Sequence, residues 1–418
     1  MNHWIKYYIK AALILIPALA SAGELLTLNE VLQMAETRSP MLGSQTAALK
    51  NAQAAEQTAG AYPNPEIEWA AGKFRLQNPR PGAAPSHTEL ISVAQPIEWI
   101  GVRHARIKMA QENSNASAAQ LSQVKNELRT KVKLAYFDLL RRQEEVGVSS
   151  EMLVLLEQIR DRVKLKVEVG EAPRYELIKA EAETLSARNA SQSARLRVQQ
   201  ARAVLRSLIG VELPREFQIA PANIEMGELP PLESLRRELH DNHPQLRAAT
   251  ADMEKANARL ALERNLRVPQ PTLKWTSQRD PEMRQWLLGV TLPLPLWNRR
   301  EGQIGEASAL VEQSQAEKQR QEALLQGELE QAYSRYQIAR SQIETFETAL
   351  LKEAEAALKT AEAAYRYGER NILDYLDAQR THRTVRLDFL SARYELQAAW
   401  LDIERLRANI PAGEHHAE

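Results

Sequence analysis

Two very long stretches of this chain contain no proline. They cover residues 97–172 and 296–410, and both are rich in alanine, leucine, glutamate, glutamine and arginine. Proline is not tolerated inside helices, and these other residues favour them. A helix over 102–169 would span about 100 Å at 1.5 Å per residue, and a second over roughly 306–367 would be nearly as long. Because no compact domain holds such rods, the sequence predicts a mainly helical, elongated molecule.

Each predicted rod ends at a short segment that contains a glycine, VEVGEAP in the first case and YRYGERN in the second. A glycine at this point suits a helix C-terminal cap and lets the chain reverse. Shorter helices are predicted to follow, over about 174–208 and 371–408. The turn residues are Gly170 and Glu171 in the first segment and Gly368 and Glu369 in the second. In the last helix, apolar residues recur in steps of four and three, which predicts coiled-coil packing between rods.

Four stretches between the helices have the length and composition of strands. They lie at about 65–74, 88–97, 271–278 and 285–294. The first stretch alternates, with Ile67, Trp69 and Ala71 on one face, whereas the alternation in the others is weaker. A loop of proline, glycine and polar residues joins each pair, so two β-hairpins are predicted.

The same order of elements occurs twice along the chain. PEIEW at 65–69 matches PTLKW at 271–275, and the two turn glycines also match. Matched order with slowly drifting offsets indicates tandem duplication. The predicted organisation is listed here in chain order: a signal peptide (1–22), a first repeat (23–210), a proline-rich linker (211–231), a second repeat (232–410) and a tail (411–418).

The first 22 residues have the features of a secretory signal peptide. Two lysines precede an apolar run, and small residues occupy Ala20 and Ala22, which predicts export. The absence of cysteine excludes disulfides and thiolate metal sites and predicts that no lipid-modified cysteine anchors the protein. A mean hydropathy of −0.45 argues against a polytopic helical membrane protein, and 54 basic against 54 acidic residues create no overall field that attracts nucleic acid.

Four strands of this length could cross a membrane but are too few to close a barrel, and an open sheet edge is not viable in lipid. The strings AYPNPEIEW, QPIEWIGVRHAR, LPLPLWNRREGQIGEA and YRYGERNILDYLDAQR resemble the TolC family of outer-membrane efflux proteins, and its CzcC-type heavy-metal branch most of all. The resemblance implies a homotrimer. Four strands per chain would form one 12-stranded outer-membrane β-barrel, continued by a 12-helix periplasmic α-barrel. A periplasmic adaptor (membrane fusion protein) and an inner-membrane RND pump are the implied partners, and no cofactor is expected.

The resemblance also implies roles for particular residues. Asp374 and Asp377 match the acidic ring at the narrowest part of the tunnel. Tyr365 and Arg370 match a latch that holds the periplasmic end closed, with Tyr175 and Glu176 as its partners. The two glycine turns would form the tip that meets the adaptor. Five tryptophans lie in or beside the predicted strands and would form an aromatic girdle: Trp69, Trp99, Trp275, Trp286 and Trp297.

Several alternatives remain open from the residues. Paired aspartates can serve an acid–base enzyme, but the chain contains no serine-hydrolase, zinc-protease or phosphate-loop motif, so it is not predicted to be an enzyme. His240 and His243 have a spacing that could suit a metal, yet no third histidine and no cysteine lies nearby in sequence, and a pair of surface histidines explains them better. Multidrug efflux, a type I secretion duct and a periplasmic coiled-coil adaptor are the other candidate functions.

Overall fold

The computed structural model describes residues 25–74, 86–210, 213–224, 226–280 and 283–408. The predicted signal peptide and tail lie outside them. The first half contains α1 (Leu28–Arg38), α2 (Pro40–Gly60), β1 (Glu66–Phe74), β2 (Ser86–Pro96), α3 (Ile100–Glu168) and α4 (Arg174–Ile209). The second half contains α5 (Leu232–Asn242), α6 (Pro244–Asn265), β3 (Thr272–Arg279), β4 (Arg284–Thr291), α7 (Glu301–Thr345), a π-helical turn (Phe346–Leu350), α8 (Leu351–Arg366) and α9 (Ile372–Arg407).

The predicted mainly helical fold with long rods and short strands is confirmed. The helix α3 runs without a break for 69 residues, about 100 Å. The sequence predicts the second rod as one continuous α-helix, whereas in the structure a π-helical turn separates α7 from α8. Each repeat also begins with two short helices instead of one. Pro40 and Pro244 stand at the first position of the second helix in each pair, where proline starts a helix but cannot continue one.

The four strands form one antiparallel sheet in the order β1-β2-β3-β4. The central pairing of β2 with β3 joins the two repeats, and β1 and β4 are the edges within the protomer. The strand β4 ends at Thr291 rather than at residue 294 as predicted. Pro293 and Pro295 follow, and proline has no N–H group to donate to a ladder.

The helices form a layer that continues from the sheet. In the half beside the sheet, α3 packs between α2 and α6, and α6 packs against α7. In the distant half, α3 packs against α4 and α9, and α9 packs against α7 and α8. Among the described residues, no helix combines the length and apolar character needed to cross a membrane. The linker adds a short parallel bridge between Leu26 and Ile219, and the buried Tyr136 hydroxyl donates toward the Leu26 and Ala220 carbonyls at 3.0 and 2.6 Å.

Candidate functional site

The two predicted turns have the same backbone structure. Gly170 and Gly368 adopt φ values of +78° and +77°, the left-handed region that glycine enters at little cost. The N–H of Glu171 donates to the Lys166 carbonyl at 2.8 Å, and the N–H of Glu369 donates to the Ala364 carbonyl at 2.9 Å. Each glycine N–H also donates to the carbonyl three residues earlier, at 3.1 Å for Gly170 and 3.2 Å for Gly368, and the two kinds of bond together define a Schellman cap. Both rods therefore reverse in the same way at the end far from the sheet.

Tyr365 lies in the packed layer just before the second turn. Its ring stacks on Tyr375 with 5.9 Å between centroids, and the Lys166 ammonium lies 4.8 Å from its ring centroid. The hydroxyl is buried and has no hydrogen-bond partner among the described residues. Burial raises the pKa of Tyr365, and the nearby Glu176 carboxylate raises it further. The structure thus brings Tyr365 close to Glu176, one of the two partners that the resemblance implied.

Arg370 forms an ion pair within its own protomer. Its guanidinium donates to Asp374 at 3.3 Å, one helical turn along, rather than to Tyr175 or Glu176 of the same protomer. The Asn371 side chain caps α9 by accepting a hydrogen bond from the Asp374 N–H at 3.1 Å. The implied latch and the implied constriction are therefore electrostatically connected through one exposed ion pair. Asp377 is exposed on the next turn and forms no recorded ion pair in the described chain.

The register of the sheet separates its two faces. Period-two alternation places one set of apolar side chains on one face, and most of them are exposed. This face contains Ile67, Trp69, Ile91, Val93, Leu273, Trp275, Trp286, Leu288 and Val290. An exposed patch made of this many adjacent apolar side chains indicates a surface that contacts lipid or protein.

Polar side chains occupy the opposite face of the same sheet. The Ser92 hydroxyl donates to the Glu68 carboxylate at 3.0 Å, and the Lys274 ammonium lies 3.3 Å from the same carboxylate. The Gln285 amide donates to Gln278 at 3.1 Å. An apolar outer face with a polar inner face is the pattern of a membrane β-barrel wall.

The five tryptophans do not lie at one level. Trp69, Trp275 and Trp286 lie within the strands on the apolar face. Trp99 immediately precedes α3, and Trp297 lies between β4 and α7 with 93% of its surface exposed. The five tryptophans are therefore divided between the sheet and its boundary with the helices, and their role as a girdle at the lipid interfaces stays a prediction.

The two histidines lie in different environments. His243 is buried at the start of α6, where its Nδ1 accepts from the Gln245 N–H at 3.3 Å. Burial, assisted by the positive charge of Arg405, lowers the pKa of His243 to about 4. His240 is exposed beside Asp241. Within the described ranges, no group of three or more histidine, aspartate or glutamate side chains is arranged to hold a metal ion.

Sequence reasoning missed three features of these surfaces. It did not find the Arg370–Asp374 pair, although a spacing of four residues was a usable signal. It also missed Lys166 against the Tyr365 ring, since that contact joins two different rods. The polar network of Glu68 could be found only once the strand register was known.

Comparison with solved structures identifies the same fold in several outer-membrane proteins. The chain superposes on the outer membrane channel CmeC of Campylobacter jejuni with a TM-score of 0.80 and 17% identity, covering 91% of this chain and 85% of that one. CusC, described as forming a transmembrane channel, gives a TM-score of 0.79 and 18% identity, covering 91% of each chain. The open-state outer membrane channel MtrE of Neisseria gonorrhoeae gives 0.76 and 17%, covering 91% and 88%.

Two curated proteins are similar in sequence. The cobalt-zinc-cadmium resistance protein CzcC of Cupriavidus metallidurans is 27% identical over 384 residues, which cover 91% of this chain and 90% of that protein. The nickel-cobalt-cadmium resistance protein NccC of Alcaligenes xylosoxydans is 23% identical over 313 residues, covering 73% and 69%. A family model described as outer membrane efflux protein matches both repeats, at residues 31–211 and 235–409. These matches span most of the described chain, which therefore belongs to the outer membrane efflux protein family.

Proposed function

We propose that this protein is the exit duct of a tripartite efflux system and works as a homotrimer in the outer membrane. The observation that carries the proposal is the four-stranded sheet, which has an apolar exposed face, a polar face and two free edges. In lipid those edges require partners. Three copies would supply 12 strands, which is enough for a closed barrel, and the helical layers would continue the tunnel into the periplasm.

Heavy-metal cations are the proposed cargo. The likeness to CzcC and NccC supports this choice, while the duct itself holds no metal cluster in the part of the chain that the structure describes. A passive conduit needs no such cluster, because tight binding would slow the exit of the ion. An inner-membrane RND pump and a periplasmic adaptor would select the cargo, and the adaptor would meet the tip formed by the two glycine turns.

The constriction and the latch remain proposals about single residues. Asp374 and Asp377 are exposed on one face of α9, so three copies would place six carboxylates around the axis. Such a ring favours cations. Tyr365 and Arg370, with Tyr175 and Glu176, would close the tip across neighbouring coils. The exposed Tyr175 side chain is available for such a contact, whereas the Tyr365 hydroxyl is buried within the protomer and would need a shift of its surroundings to reach another coil.

The test of the proposed function is deletion of the protein in its native host. We expect lower tolerance to zinc, cobalt, cadmium and nickel, restored by the full-length protein but not by a form that lacks the sheet hairpins. Tolerance to dyes and detergents should change little. A defect confined to organic compounds would favour a multidrug duct, and a defect in protein export would favour type I secretion. Release of the protein from membranes by salt alone would contradict the channel and favour a periplasmic adaptor.

A further inference from the structure

The boundary between the sheet and the helices is held together by specific polar contacts. The Arg300 guanidinium donates to the Glu263 carboxylate at 3.0 Å through its Nε, which fixes the start of α7 against the end of α6. Arg300 itself adopts φ +59°, and its N–H donates to the Asn298 side chain at 2.9 Å. The segment between β4 and α7 is therefore held in a defined conformation.

Three arginines at this boundary have no acidic partner. Arg264, Arg267 and Arg299 are exposed, and none forms an ion pair or side-chain hydrogen bond within the described chain. Two nearby carboxylates are already paired, Glu263 with Arg300 and Glu98 with Arg106, whereas the exposed Glu301 close to Arg299 is not. The three unpaired arginines therefore outnumber the unpaired Glu301 that adjoins them, which leaves a net positive charge among these four residues.

Apolar side chains lie beside Arg299, the arginine that precedes Arg300 at this boundary. Trp297 is 93% exposed, and it shares a shallow cavity of about 440 Å³ with Arg299 and Leu296. Glu301 also lines the cavity but forms no recorded ion pair with Arg299. Exposed leucines connect the cavity to the apolar face of the sheet: Leu292, Leu294 and Leu296. Cationic groups at the end of an apolar band, next to an exposed indole, match the depth at which a bilayer changes from acyl chains to phosphates.

We propose that Arg264, Arg267, Arg299 and Trp297 form a binding surface for the headgroup phosphates of glycerophospholipids, with a preference for anionic phospholipids. The inference rests on the proposed function, because it requires the sheet to lie in a membrane. It adds a lipid site at the edge of the barrel nearest the helices. Arginine suits this role because its planar guanidinium can donate two parallel hydrogen bonds to the oxygens of one phosphate. The bound lipids would fix how deeply the barrel sits.

The test uses the full-length protein purified in detergent with equal amounts of phosphatidylglycerol and phosphatidylcholine. Lipid that remains bound after gel filtration is measured by mass spectrometry. The wild type should retain phosphatidylglycerol preferentially, and added salt should reduce that preference. Each arginine near an anionic surface changes retention by a factor of about five, so the triple variant Arg264→Gln, Arg267→Gln, Arg299→Gln should lose the preference by at least that factor.

A matched triple variant serves as the control. Arg215, Arg237 and Arg247 are also exposed and form no recorded ion pair, but they lie in the linker, in α5 and at the opposite end of α6. Replacing these with glutamine should leave lipid retention unchanged. If the boundary triple variant does not fold, Arg299→Gln alone and the salt titration of the wild type provide the same test.

Four results would overturn the proposal: no preference in the wild type, no effect of salt on that preference, equal losses in both triple variants, or dissociation of the boundary variant into protomers. The last result would mean that these arginines face another copy of the chain. Conductance of the wild type in planar bilayers separates this proposal from the proposed function. A protein that conducts without a lipid preference contradicts only the lipid site, whereas failure to insert contradicts both.

Discussion

Asp374 and Asp377 lie one turn apart on α9, yet only Asp374 has a cation beside it, at 3.3 Å from Arg370. We therefore expect Asp377→Ala to reduce the cation-to-anion permeability ratio more than Asp374→Ala does. The expected reduction is about two- to fivefold, which corresponds to roughly 0.5–1 kcal/mol between an ion and an exposed carboxylate. Reversal potentials in planar bilayers with a salt gradient measure the ratio. Equal effects of the two substitutions would mean that the ion pair does not matter in the trimer.

Arg370→Ser should have two consequences at once. It removes the proposed latch contact, which should raise single-channel conductance, and it frees Asp374, which should increase cation preference. Arg366→Ser is the matched control, since Arg366 pairs with Glu362 in the same one-turn arrangement at 2.8 Å but belongs to neither proposed site. An isolated surface pair contributes only about 1 kcal/mol or less. If Arg366→Ser changes conductance as much as Arg370→Ser, the latch assignment is wrong.

His243 should make the stability of the protein depend on pH. Its pKa is about 4 in the folded chain, against an ordinary value of 6.5, so the unfolded chain binds more protons between these values. Stability is therefore complete above pH 6.5 and falls as the pH decreases toward 4. At about pH 5 the loss should be roughly 2 kcal/mol per protomer.

Denaturant unfolding at neutral and acidic pH checks this expectation. His243→Asn keeps a side chain that can cap α6 and should remove most of the difference. His240→Asn, three residues earlier and exposed, should retain it. The assignment to His243 fails if the asparagine variant keeps the full pH dependence.

At the scale of elements, the two faces of the sheet can be tested with neighbouring leucines. Leu287 and Leu288 are 55% and 72% exposed but point to opposite faces. Leu288→Lys places a charge on the apolar face, which should cost about 2–4 kcal/mol in lipid and reduce the amount of heat-resistant trimer in outer membranes. In Leu287→Lys the new charge lies on the polar face of the sheet, so this variant should assemble normally. A reversed result would mean that the sheet is oriented the other way around.

The π-helical turn explains a small mismatch between the repeats. Leu128 in the first rod and Leu325 in the second are both buried and lie 197 positions apart in the sequence. The turn glycines at the ends of the same rods, Gly170 and Gly368, are 198 positions apart. The second rod therefore contains one extra residue. The turn at Phe346–Leu350 lies between these two points, and a π-helical turn absorbs one residue without rotating the flanking helices.

Deletion of Thr348 tests this explanation. It should convert the turn into α-helix and keep α8 in phase, changing the free energy of unfolding by less than about 1 kcal/mol. Deletion of Ser150 at the matching point of α3 is the control. It should rotate the buried Met152, Leu156 and Ile159 out of the core and cost at least about 3 kcal/mol. Thermal unfolding followed by circular dichroism compares the two. Equal damage from both deletions would show that the extra residue is not located in the turn.

The rods and the tip turns could be predicted from sequence because proline and glycine act locally on the backbone. The sheet could be predicted only as four segments. The face of the sheet on which Trp275 or Leu288 lies depends on the register between strands. The weak alternation outside β1 did not determine that register. The implied contacts of Arg370 with Tyr175 and Glu176 join neighbouring coils and stay a prediction, while its pairing with Asp374 one turn along was not predicted from the sequence. The π-helical turn was detectable in principle, since it requires only a comparison of two offsets.

At the scale of the whole molecule, closure of the barrel depends on contact between the edge strands of different copies. Within one protomer β1 and β4 are separated by three strand spacings, about 14 Å. A disulfide needs Cβ atoms about 3.5–4.5 Å apart. The chain has no cysteine of its own, so any disulfide between engineered cysteines on these two strands must join different copies.

We expect such a disulfide when Ala70→Cys on β1 is combined in turn with Gln285→Cys, Leu287→Cys or Gly289→Cys on β4, all on the polar face of the sheet. At the correct register, oxidation should produce dimers and trimers on a non-reducing gel, because each copy offers both edges. Ala94→Cys in place of Ala70→Cys is the control, since β2 is paired on both sides within the protomer and should give no cross-link. Monomers alone at all three registers, in protein shown to be inserted in the membrane, would mean that the edges do not meet and that the sheet is closed in some other way.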